Sequence, residues 1–141
     1  MLKTKGFSLV ELLVVVAIIG ALASVGTLAY NGYVKGARKT AAQNAMQQIA
    51  LMQTEYYSLT GGYYGDATCS PSGTGTSGIN TNLFDTEGDE KIIDVEKYEF
   101  CVEDVKEDDV KVGFLIKACI NKDGSCSGEV LTLDSKGADN F

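Results

Sequence analysis

A carboxylate stands at the edge of the most apolar part of this chain. After Glu11 come 23 positions, Leu12 to Val34, without a charged side chain. A charge inside a membrane span costs roughly 2.5–3.5 kcal/mol on insertion scales, so Glu11 needs either an interfacial place near a helix end or a cationic partner. The four cysteines, Cys69, Cys101, Cys119 and Cys126, all lie in the polar remainder. Their even number favours disulfides, and without a CxxC pair a zinc centre has little support. There is no histidine, which removes Ser–His and Cys–His nucleophilic pairs, His general bases and His-ligated metals. Twelve of the nineteen acidic residues crowd between Asp85 and Asp109. Asn121-Lys122-Asp123-Gly124-Ser125 faintly resembles half of a calcium loop but lacks the closing bidentate Glu, so solvated acidic surface is the reading. No GxGxxG follows a strand, so a nucleotide cradle is unsupported. We expect no catalytic residue, no metal and no cofactor; the chain does not read as an enzyme.

The elements that must place these residues follow from hydropathy. The 141 residues fit one domain with one core. At about 1.5 Å per residue the uncharged run covers roughly 34 Å of helix, enough to cross a hydrocarbon layer of about 30 Å. Lys3 and Lys5 precede it, as in a secretory signal, but Glu11 intrudes and helical patterning continues beyond. After Lys35, Arg38 and Lys39, the residues Ala42, Ala45, Met46, Ile49, Met52, Tyr56 and Leu59 recur at spacings of three and four, with Gln43, Asn44, Gln47, Gln48 and Gln53 mostly between them. Thr60-Gly61-Gly62 ends the helix. The tyrosines at 56, 57, 63 and 64 read as packing and interface residues rather than an electron path. Residues 61 to 82, with Pro71 and a run of small residues from Ser72 to Gly78, read as an exposed connector.

The remainder alternates as antiparallel strands: Tyr98 to Val102, Val110 to Ile120, and about Glu129 to Leu133. Tyr98, Phe100, Val102, Val112, Phe114, Ile116 and Ala118 are expected to face the helix, with Glu99, Cys101, Glu103, Lys111, Lys117 and Cys119 outward. If a loop from Glu103 to Asp109 closes the first hairpin, Cys101 lies opposite Lys111. Cys119 is then about 26 Å further along the strand, too far to bridge. Cys69 with Cys101, and Cys119 with Cys126, is the preferred pairing. The fold class is α+β, one long helix on a small antiparallel sheet.

Lys5-Gly6-Phe7-Ser8-Leu9-Val10-Glu11, running on into Leu12 to Gly20, resembles the class III signal of type IV pilins and the related pseudopilins. The resemblance implies cleavage between Gly6 and Phe7 by a prepilin peptidase that also N-methylates Phe7. It makes Glu11 the carboxylate required for assembly. Beyond this junction the match is one of layout. Leu28 stands where many pilins carry a kinking proline; the surrounding Gly20, Ser24, Gly26, Thr27 and Gly32 suit either local unwinding or close helix packing. The implied layout is a leader over 1–6, a membrane and filament-core helix over 7–34, an amphipathic helix over 35–60, a glycine-rich loop over 61–90, and a sheet with a disulfide region over 91–141.

The leading functional reading is a subunit polymerising into a surface filament for adhesion, motility or DNA uptake. It would pass through the inner membrane as a single-pass precursor, with the peptidase and the pilus assembly machinery as partners. The alternatives are a pseudopilin of a type II secretion system and a DNA-binding minor pilin. Loss of 1–6 leaves ten basic against nineteen acidic side chains, which disfavours nucleic acid as the main partner.

Overall fold

The computed structural model describes residues 6–65, 69, 75–87, 90–122 and 125–141, with the Leu28 side chain left aside. Most of the leader, Pro71 to Thr74 and the Asp123-Gly124 part of the calcium-like segment lie outside the described residues. The chain divides into two units, Met1–Ala37 and Arg38–Phe141. Helix α1 (Leu9–Thr60) contributes to both.

In the first unit the helix carries its apolar side chains unburied. Leu12, Ile18, Ile19, Leu22 and Val25 are 55–70% exposed. Such a surface is stable only against lipid or other apolar helices. The helix is long and apolar enough to cross a membrane. Its hydroxyls turn inward on their own backbone, Ser24 donating to the Ala21 carbonyl at 2.8 Å and Thr27 to that of Ser24 at 3.2 Å. That bonding lowers the cost of placing them in lipid. Residues 20–32 are helical throughout, and nothing lies within 4 Å of a methyl group built on Gly20, Gly26 or Gly32.

In the second unit Ala42, Ala45, Met46 and Ile49 join Phe100, Val102, Phe114, Ile116, Ala118, Leu131 and Leu133 in one hydrophobic core. Burying each large aliphatic or aromatic side chain contributes about 1.5–3 kcal/mol. Two residues depart from the helical expectation. Gln53 is fully buried, and Leu59, at the end of the stripe, is 80% exposed. The Gln53 amide clamps the chain after the helix, its Nε2 donating to the Tyr64 carbonyl at 2.7 Å and its Oε1 accepting from the Tyr64 N–H at 2.9 Å. The helix stops at Gly61, whose φ of 77° is the left-handed conformation that a terminating glycine supplies cheaply.

The sheet is antiparallel in the order β1 (Tyr98–Glu107), β2 (Val110–Lys122), β3 (Ser125–Asp134). This corrects the strand ends and the first register. The turn is Asp108-Asp109 rather than a loop from Glu103, and Cys101 faces Lys117, not Lys111. Charge had suggested a loop, yet the charges fit a strand: Asp104 is tied to Lys111 at 2.8 Å, and Glu103 to Lys117. Val112 sits where the register shifts between Val105 and Lys106 and is 44% exposed, so it does not face the helix. Cys101 and Cys119 occupy the other sheet face as expected but are buried, at 2% and 1% exposure.

The connector is more structured than its small residues suggest. A short helix α2 (Gly75–Gly78) leads into a π-helical turn (Ile79–Leu83), and Ile79, Leu83 and the later Ile93 enter the core. Asn80 holds this segment together. Its Nδ2 donates to the Thr76 and Ile93 carbonyls, at 3.0 and 2.9 Å, and its Oδ1 accepts from the Ile92 and Ile93 N–H groups, at 2.9 and 2.8 Å. Thr76 binds the edge of β1, accepting the Phe100 N–H at 2.9 Å.

Candidate functional site

The junction residues lie together at the start of the first unit. Gly6, Phe7 and Ser8 are outside regular secondary structure. Phe7 is 80% exposed, and nothing lies within 4 Å of a methyl group built on Gly6. Among the described residues nothing packs over the Gly6–Phe7 bond. Ser8 precedes the first helical residue, and Glu11 lies in the first turn. The Glu11 Oε2 accepts the Ser8 backbone N–H at 3.0 Å, while the Ser8 carbonyl accepts the Leu12 N–H at 3.2 Å. This is one arm of a capping box, and a carboxylate at a helix N-terminus is also favoured by the helix dipole. The spacing Ser8-Leu9-Val10-Glu11 carries that signature in the sequence; the sequence reading above took Glu11 alone.

The cysteines belong to the second unit. Cys69 is bonded to Cys101 with Cα atoms 5.4 Å apart, and Cys119 to Cys126 at 5.5 Å. The first bond fixes the connector to β1, and the second closes the β2–β3 hairpin. The register argument against joining Cys101 to Cys119 does not stand, because Cys119 faces Glu99 and is thus a diagonal neighbour of Cys101 on the same face. Diagonal pairs are about 7–8 Å apart, still beyond the usual disulfide span. Among the described residues no group of three or more acidic or sulfur side chains is placed to hold a metal ion.

A long apolar helix with this junction, followed by a small antiparallel sheet, is a pilin-like α+β arrangement. Residues 1–27 match the family model described as the prokaryotic N-terminal methylation motif. The chain is also similar to the fimbrial protein EcpC of Eikenella corrodens, with 42% identity over 57 residues, covering 40% of this chain and 37% of that protein. The chain thus matches little more than a third of that relative's length. No solved structure matches. The motif and the fimbrial relative support a type IV pilin-like signal on the N-terminal stem.

Proposed function

We propose that this chain is a pilus subunit that polymerises through α1 into a surface filament serving adhesion, motility or DNA uptake. The observation that carries the reading is the unburied apolar stem of the first unit with one carboxylate in its first turn. Cleavage after Gly6 removes Lys3 and Lys5 and creates an amine on Phe7, which is then methylated. In the inner membrane the Glu11 carboxylate is already partly satisfied by the Ser8 N–H. On assembly the stem exchanges lipid for neighbouring stems, and the Phe7 amine of an adjacent copy neutralises Glu11. An unpaired charge in such a bundle is costly, so the pair sets the register between copies.

Type II secretion pseudopilins and DNA-binding minor pilins would share the same stem. Electron microscopy of material sheared from the native cell surface, with peptide mass spectrometry of the filaments, tests the reading. Long filaments containing this chain support a pilus subunit, whereas its confinement to the cell envelope favours the pseudopilin.

A further inference from the structure

The first unit turns polar before it turns charged. From Leu12 to Ala29 the sequence holds only aliphatic, glycine and hydroxyl residues, with no aromatic ring. Tyr30-Asn31-Gly32-Tyr33 follows, and Lys35 is the one charged residue between Glu11 and the end of this unit at Ala37. Glu11 and Tyr30 are nineteen helical steps apart in α1. At about 1.5 Å each that is roughly 28 Å, close to the hydrocarbon thickness of about 30 Å. With Glu11 at one head-group layer the tyrosines therefore reach the other, although the uncharged run continues to Val34.

The side chains at that level face outward. Tyr30 and Tyr33 are 67% and 76% exposed, and Asn31 and Lys35 are exposed too. A spacing of three puts both rings on one side of the helix. A phenol ring prefers to leave water, while its hydroxyl needs a partner that lipid tails do not supply. The head-group layer meets both demands. Lys35 lies just beyond, and its flexible stem lets the amine reach lipid phosphate. A lone cation there selects anionic head groups over zwitterionic ones. We infer that Tyr30, Tyr33 and Lys35 form an interfacial anchor for anionic phospholipid, which fixes where the stem leaves the membrane. This inference rests on the membrane stage of the function proposed above.

The chain contains no tryptophan, so Tyr30→Trp, Tyr33→Trp and Ile19→Trp each add a single reporter of depth. Each full chain is reconstituted into phosphatidylcholine vesicles containing phosphatidylglycerol, with bromine placed either high or deep in the acyl chains. The anchor predicts that the reporters at 30 and 33 are quenched about twofold more by high bromines, and the one at 19 by deep ones. With bromine on one lipid at a time, brominated phosphatidylglycerol should quench the reporter at 33 about twofold more than brominated phosphatidylcholine. Lys35→Gln, or raised salt, should remove that preference. Reporters at 30 and 33 that are quenched as deeply as the one at 19, or reached by neither bromine, would overturn the anchor. Equal quenching by the two lipids with Lys35 in place would overturn it too. A reporter at 19 that deep bromines do not reach would instead remove the membrane-spanning reading itself.

Discussion

Glu11 and Gln53 show how differently two polar residues can be read. Glu11 stands out in the sequence because the 23 positions after it carry no charge, and its proposed role rests on the cost of a lone charge. Glu11→Gln keeps the shape and removes the charge. The variant should be cleaved and remain in the membrane, yet give few or no filaments, since breaking a buried pair costs about 3–5 kcal/mol. Glu11→Asp should restore only part of the yield, because the shorter side chain reaches less far. Filament counts against membrane-fraction immunoblots check both, and normal yield from Glu11→Gln would make the carboxylate an interfacial residue only. Gln53 was not legible as a core residue. Polarity places it with its glutamine neighbours on the wet face, and only the Tyr64 backbone makes its burial favourable. Gln53→Leu leaves those two backbone groups without the amide, and should destabilise the protein by about 2 kcal/mol in denaturant unfolding.

The elements were legible where side chains repeat with a period, and obscure where charge or small residues masked them. The stripe from Ala42 to Ile49 and the alternation of Phe100 with Val102 identify the packed helix and sheet. The continuation of β1 through Glu103 to Glu107 was hidden, because its charges resemble a loop, whereas in the strand Glu103 and Asp104 are paired with Lys117 and Lys111. The connector was hidden for the opposite reason. Gly75 permits close approach rather than exposure: a methyl group on it would come within 2.5 Å of the Phe100 carbonyl and 3.0 Å of the Cys101 Cβ. Gly75→Ala should therefore destabilise the head by about 1–3 kcal/mol, measured as a lowered denaturation midpoint. The two disulfides should differ in weight. Cys69 and Cys101 are 32 residues apart and Cys119 and Cys126 only 7, and loop-closure entropy assigns them roughly 3.7 and 2.4 kcal/mol. Paired Cys→Ala replacement at 69 and 101 should lower the melting temperature more than at 119 and 126. Equal losses, or a larger one from the short loop, would show that local packing outweighs chain entropy.

For the whole molecule, the account divides labour between the two units. The first has a surface that cannot remain in water, and the second an acidic, twice-bridged head with a core of its own. On the proposed function, removal of 1–6 would take away two lysines and leave a terminal amine about a helical turn from Glu11, converting a membrane precursor into a subunit able to stack. The methylation motif of the junction was legible in the sequence, and the capping bond from the Ser8 N–H to Glu11 was not taken from it. The shape of the head surface was not legible, because it depends on the strand register and on loop packing. The most direct test is the intact mass of this chain recovered from sheared cell-surface filaments. The account predicts a chain that has lost Met1 to Gly6 and gained one methyl group on Phe7. A chain still beginning at Met1 in those filaments would contradict it.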